Sequence, residues 1–158
     1  MLPDPKNVIL TKNRIILRQL TVDDVTQNYV DWMNDPVVNE YLESRSVTHS
    51  METVIEFVSN MHKSREDILF GIFFGKNEKH IGNIKLGQIN EYQKSATIGL
   101  AIGDKDFWGK GIATMAISLV TNYGFMDVEL EKICAGCYEH NLGSKKAFLK
   151  TGYQVVVV

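Results

Sequence analysis

Three consecutive stretches decide the fold: Ile98-Gly99-Leu100-Ala101-Ile102-Gly103, then Asp104-Lys105-Asp106-Phe107, then Trp108-Gly109-Lys110-Gly111-Ile112-Ala113-Thr114. The first completes an apolar run, 96–102, that reads as a strand. The last opens a helical pattern whose buried stripe is Ile112, Ala116, Leu119, Val120 and Tyr123. Between them lies a glycine-punctuated loop. Such a loop leaves backbone N–H groups unpaired at a helix N-terminus, where the peptide dipoles favour negative charge, so a phosphorylated ligand is expected there. Gly99 and Gly103 also mark a bulge or a close backbone approach in the strand.

Two nucleotide-binding loops are excluded by spacing. A P-loop needs Gly-x-x-x-x-Gly-Lys followed by Ser or Thr. Here five residues separate Gly103 from Gly109, and Gly111 follows Lys110, so the hydroxyl that would hold magnesium is missing. A dinucleotide fingerprint needs a third glycine where Thr114 stands, and a sheet built onward from the motif, for which too little chain remains.

Working outward toward the N-terminus, residues 80–86 and Ile68-Leu69-Phe70-Gly71-Ile72-Phe73-Phe74 read as a hairpin around the turn Gly75-Lys76-Asn77-Glu78. Ser50 is the expected N-cap of a helix with the face Met51, Val54, Ile55, Val58 and Met61. Residues 14–20 alternate as a first strand, with Ile16 and Arg18 on one face and Ile15, Leu17 and Gln19 on the other. Thr21 and Asp24 resemble a capping box for a helix carrying Val25, Tyr29, Trp32 and Met33, which Asn34-Asp35-Pro36 ends. On the C-terminal side, residues 131–138 read as a strand. Asn141 caps a helix that runs to Thr151, Gly152 stops it, and residues 153–158 begin a last strand. The expectation is a single mixed α/β (α+β) domain over residues 1–158, mostly antiparallel, with about four helices and a βαβ unit near its end.

Composition narrows the partners. A net charge of -2 supplies no basic field for nucleic acid. No apolar run reaches the roughly 20 residues of a membrane span, and the N-terminus lacks signal-peptide regions, so a cytoplasmic location is expected. Cys134 and Cys137 have a redox or zinc spacing, but on a strand they face opposite sides and only His140 is near as a further ligand. Buried reduced thiols and no metal are expected.

The run 108–114 resembles the coenzyme A pyrophosphate loop of the GNAT acetyltransferases, whose pattern is Gln or Arg, two residues, Gly, one residue, then Gly or Ala. Gly111 and Ala113 match, and Trp108 stands where Gln or Arg is usual, as in the ribosomal-protein N-acetyltransferase branch. A second block, Asn141-Leu142-Gly143-Ser144-Lys145-Lys146-Ala147-Phe148-Leu149-Lys150-Thr151-Gly152-Tyr153, is similar to that family's as well. The resemblance covers about residues 12–158. It implies a splay between the fourth and fifth strands of this reading, 96–102 and 131–138, with the pantetheine arm of acetyl-coenzyme A added beside the fourth. It implies that Leu100, Ala101 and Ile102 bond the pantetheine amides. It further implies that the amides of Gly109, Lys110, Gly111, Ile112, Ala113 and Thr114, next to Trp108, hold the pyrophosphate, and that Asn141 and Ser144 reach the cofactor.

The implied reaction is attack of an amine on a thioester, with a backbone N–H near Leu100 polarising the carbonyl. Many relatives place a tyrosine acid where this chain has Phe148. Ser144, one turn earlier, is the alternative acid, or else a helix residue bonded locally to Asn141. The base is open. Its usual strand position holds Thr97, and Glu40, Glu43, His80 and His140 are candidates, Glu43 falling where the family builds its acceptor site. Trp32 and Tyr41 are candidate pocket walls. The expected acceptor is a small amine or amino sugar. The alternatives are a protein N-terminus, or a non-catalytic acyl-coenzyme A-binding module. The resemblance implies a further strand after Val155-Val156-Val157-Val158, which this sequence does not carry, so that segment is expected to pair with residues 131–138 or with a second copy as a homodimer.

Overall fold

A computed structural model describes residues 4–40, 47–135 and 142–155. Six strands form one sheet in sequence order: β1 (Ile9–Lys12), β2 (Ile15–Gln19), β3 (Ile68–Phe74), β4 (Lys79–Asn90), β5 (Ser95–Ile102) and β6 (Lys132–Ala135). Neighbours are antiparallel except β6, which runs parallel to β5. Among the described residues, five helices flank the sheet: α1 (Gln27–Asn34), α2 (Pro36–Asn39), α3 (Met51–Lys63), α4 (Ile112–Met126) and α5 (Leu142–Lys150).

Period-two alternation assigns the two faces. Ile15, Leu17, Phe70, Ile72, Ile84, Leu86 and Ile98 point toward α4 and α5, where they meet Ile112, Ala116, Ile117, Val120 and Phe148. The opposite face carries Leu69 and Phe73 against Tyr29, Val30, Val54 and Val58 of α1 and α3. The expected cap of α3 is present: the Thr53 N–H donates to Ser50 Oγ at 3.2 Å, and the Ser50 N–H donates to Thr53 Oγ1 at 2.9 Å. Ile55 does not join the buried face of α3 and is 37% exposed.

Three boundaries depart from expectation. Strand β1 adds a hairpin before the expected first strand, closed at Lys12↔Ile15 through Asn13, whose φ of +53° suits asparagine. It makes residues 95–102 the fifth strand rather than the fourth. The pair Thr21 and Asp24 caps only a 3-10 turn, Val22–Asp24, because Asp24 is held by a bidentate contact to Arg18 (3.0 Å at each nitrogen). Helix α1 starts afterwards, with Thr26 Oγ1 accepting from the Tyr29 N–H. Finally, residues 153–155 are not a strand. Gly152 (φ +99°) ends α5, the Tyr153 N–H donates back to the Phe148 carbonyl, and the Tyr153 hydroxyl bonds Thr121 at 2.7 Å. The tyrosine is thereby folded onto α5 and α4. The expected pairing of residues 156–158 lies outside the described residues.

The splay has a clear extent. Strands β5 and β6 pair from Ser95↔Lys132 to Ile98↔Ala135. Among the described residues, Gly99 to Ile102 has no strand partner on that side.

Candidate functional site

The open edge of β5 is defined by its hydrogen-bond phase. Gly82 faces Ile102 across the antiparallel ladder, and the Gly103 N–H donates to the Ile81 carbonyl at 2.8 Å. That bond makes Gly82 and Ile102 a non-hydrogen-bonded pair, and the pattern alternates. Ala101 therefore turns its N–H and C=O toward Asn83, and Leu100 and Ile102 turn theirs away from β4. The expectation of three contributing residues is corrected here: the backbone groups of Ala101 are committed to the sheet. Those of Leu100 and Ile102 face the splay, and the Ile102 carbonyl accepts from Trp108 Nε1 at 2.8 Å.

The Trp108 contact ties the loop back to the strand it leaves. Gly109 (φ +74°) and Gly111 (φ +78°) both occupy left-handed conformations, and a Cβ on either would meet no atom within 4 Å. The space above both glycines is open. Gly111 is the N-cap of α4 and offers no side chain to its amides. The first backbone bond of the helix runs from the Met115 N–H to the Gly111 carbonyl. The N–H groups of Ile112, Ala113 and Thr114 thus have no acceptor among the described residues. Lys110 Nζ stands 5.5 Å from the Phe107 ring centroid beside them and adds positive charge. A loop of this shape accepts a multivalent anion through backbone amides.

On the other face, α1 locks to the same loop. The Trp32 indole lies on Gly103 and fills the volume that any Cβ there would take. Lys105 Nζ pairs with Asp35 at 2.7 Å and Lys79 Nζ with Asp104 at 3.0 Å. His80 sits behind Trp32, reoriented by a bulge at Ile81: Ile72 pairs Gly82, and Phe73 pairs His80. Its ring stacks on Phe73 (5.0 Å) and contacts Tyr29 (5.4 Å) and Trp32 (5.0 Å). His80 Nε2–H donates to Asn83 Oδ1 at 2.7 Å, and Nδ1 is buried without a well-formed partner.

Burial holds the His80 pKa below its ordinary value of 6.5, and it holds Tyr29, linked to Asn83, up to about 12. The folded state therefore resists protonating His80 while the unfolded chain accepts a proton near pH 6.5. Stability falls as pH drops below that value, until the folded value is passed. Lowering the pH from 7 to 5 should reduce the thermal midpoint of the native protein, and His80→Gln should flatten that dependence. An equal slope in the variant would contradict the assignment. His80 is thus a neutral packing group beside Gly103. Thr97 lies six residues further along β5, about 20 Å away at strand rise.

The other expected residues fall in different places. Ser144 is half-buried in the first turn of α5. Phe148 is a core residue, edge-on to Tyr153 at 5.0 Å. Glu40 is exposed after α2. Cys134 is exposed on β6 as a free thiol. Glu43, Tyr41, Cys137, His140 and Asn141 lie outside the described residues. The Trp32–Gly103 seat and the Trp108–Ile102 tether were missed from sequence, since both join residues whose proximity only the fold creates. Among the described residues, no helix is long and apolar enough to cross a membrane, and no group of acidic, histidine and cysteine side chains could hold a metal ion.

Comparison with known proteins bears on this site. Residues 14–154 match the family model described as an acetyltransferase (GNAT) domain. YoaA, an uncharacterized N-acetyltransferase of Bacillus subtilis (strain 168), is 30% identical over 147 residues, covering 92% of this chain and 82% of its own. The spermidine N-acetyltransferase of Vibrio cholerae, solved with CoA and spermine, has a TM-score of 0.79 at 21% identity, over 89% of this chain and 81% of that one. A second Vibrio cholerae structure, whose name proposes a ribosomal-protein-serine acetyltransferase, has a TM-score of 0.75 at 18% identity, over 96% and 84%. The structural neighbours establish the fold, and the family match and the sequence relative establish the activity class. The chain belongs to the GNAT acetyltransferase domain family and is an acetyl-coenzyme A-dependent N-acetyltransferase.

Proposed function

We propose that the enzyme acetylates the primary amine of a small molecule by direct attack within a ternary complex. The observation that carries this reading is the continuity of two sets of backbone groups that have no partner among the described residues, the Leu100 edge of β5 and the amides opening α4. The first suits a strand-like pantetheine arm. The second suits a pyrophosphate. The residues fit acetyl-coenzyme A, because neither Gly109 nor Gly111 places a Cβ in the way.

In this mechanism the Leu100 N–H holds the carbonyl oxygen of the thioester as it gains negative charge. The amine nitrogen forms the new C–N bond, the C–S bond breaks, and the nitrogen releases its proton to a base or to ordered water. A thiol pKa of about 8.5 makes the departing thiolate stable near neutral pH, so its protonation is a modest part of the barrier. Ser144 is the proposed proton donor to that thiolate. Ser144→Ala should lower turnover by about 10-fold, below the range usual for proton-transfer groups, because the thiolate leaves readily. Stabilisation by acetyl-coenzyme A should stay unchanged in this variant. An unaltered rate would remove Ser144 from the reaction.

The function is tested by measuring free thiol released from acetyl-coenzyme A with and without a panel of amines. Release that depends on an amine, with equal formation of N-acetylated product, is expected. Binding of acetyl-coenzyme A without release for any amine would contradict it.

A further inference from the structure

We infer that Trp108 is a positioning residue: its indole N–H, held on the Ile102 carbonyl, fixes the turn 109–111 in the shape that receives the pyrophosphate of the cofactor. The inference rests on the cofactor path proposed above, and it names what holds that path in place before the ligand arrives.

Both flanks of the turn are fixed by other means. On the strand side, the Gly103 and Asp104 N–H groups donate to the Ile81 carbonyl at 2.8 and 3.1 Å. The 3-10 turn Lys105–Phe107 follows, with Asp104 accepting from the Asp106 N–H at 3.0 Å and the Phe107 ring lying 4.9 Å from Phe74. On the helix side, Ile112, Ala116, Ile117 and Val120 are buried in the core and seat α4. The residues between carry few constraints of their own. Among the described residues, the N–H groups of Gly109, Lys110 and Gly111 reach no acceptor. Gly109 and Gly111 are of the residue type that loses most conformational freedom when fixed. Both sit at positive φ, +74° and +78°, and a Cβ on either meets nothing within 4 Å beyond its chain neighbours. Local packing therefore selects no single arrangement of the turn.

Trp108 supplies the missing constraint. Its backbone N–H closes the 3-10 turn on the Lys105 carbonyl at 3.1 Å, and its Nε1–H reaches back six residues to Ile102 at 2.8 Å. The Ile102 carbonyl faces the splay, so β4 does not compete for it. Trp108 adjoins Gly109, so the bond sets where the turn begins. The ring is 44% exposed. It is not a core residue, and the N–H is the part of the side chain with a specific partner. A turn already held in its bound shape spares the ligand the entropy of ordering it.

The test measures the Kd of coenzyme A by calorimetry on the full chain and two variants. Trp108→Phe keeps an aromatic ring and loses the donor. Trp108→Gln loses the ring and keeps an N–H donor equally many bonds from its Cα. Trp108→Phe should weaken binding about 10-fold, the net worth of one hydrogen bond. Trp108→Gln should stay within about three-fold of the native protein. Thermal midpoints of both unliganded variants should lie within about 4 °C of the native value. The native protein gives an independent readout by NMR: the Trp108 Nε1–H should exchange slowly with solvent, both free and with coenzyme A bound. Native affinity in Trp108→Phe, or a loss in Trp108→Gln as large as in Trp108→Phe or larger, would overturn the tether and assign the ring itself to the ligand. Fast exchange of the indole N–H in either state would overturn it as well. Coenzyme A that fails to bind the native protein would overturn the cofactor path together with the tether.

Discussion

Gly111→Val should abolish the thermal stabilisation that acetyl-coenzyme A gives the native protein. In the free protein a Cβ at this position meets no atom within 4 Å outside its chain neighbours, so the main cost is the left-handed φ of +78°, about 1–2 kcal/mol for an L-residue. The fold should survive that cost. What the side chain occupies is the approach to the amides of Ile112, Ala113 and Thr114. A ligand at 100 times its Kd stabilises by about 2.7 kcal/mol, which for a chain of this size corresponds to a rise in midpoint of about 5–10 °C. The variant should show no rise at the same ligand concentration. A full rise would place the pyrophosphate elsewhere. Gly111→Ala, with one methyl group in the same space, should fall between the two.

Gly103→Val should be the most destabilising change at the site. The volume a Cβ needs is filled by the Trp32 indole, so the valine must displace a large aromatic ring packed between Tyr29 and His80. Overpacking of this kind costs about 3 kcal/mol, a fall in midpoint of about 6–12 °C. Combining it with Trp32→Ala should recover part of the loss, since the two residues compete for one volume and their effects are not additive. A midpoint within 2 °C of the native protein, taken as roughly half a kcal/mol, would contradict the packing described. The same change should disturb the Lys105–Asp35 pair, which joins the end of α1 to the loop before α4.

The sequence made the β5–α4 region legible because local signals agree there. An apolar run, glycines at the turn and a helical stripe each report on their own neighbourhood, and their order allowed one family resemblance. The alternation of Ile15, Leu17 and Gln19 against Ile16 and Arg18 was legible for the same reason. Other features depend on contacts distant in sequence. Asp24 forms the expected capping box with Thr21, but the box closes only a 3-10 turn, and the same carboxylate takes Arg18, six residues earlier, a contact that no local pattern reports. Gly103 reads as a strand terminator, while its absent side chain makes room for Trp32. Which of Leu100, Ala101 and Ile102 faces the splay depends on the phase of the ladder with β4, set by a bond from Gly103 to Ile81. Hydrophobic pattern carries no information about that phase. Strand β1 was detectable, since Asn13 suits a tight turn and Ile9-Leu10 precede it, but four residues give a weak pattern. Tyr153 was misread because a β-branched run follows it, and its bond to Thr121 prevails over that local preference.

The proposed path of acetyl-coenzyme A runs along the open edge of β5 and ends on the amides of α4. Residue-resolved hydrogen exchange, with and without acetyl-coenzyme A, tests it most directly. The amides of Leu100, Ile112, Ala113 and Thr114 should exchange freely in the unliganded protein and become protected on binding. The Ala101 amide, already paired toward Asn83, should be protected in both states. Saturating binding that leaves Leu100 and the three α4 amides unprotected would contradict it.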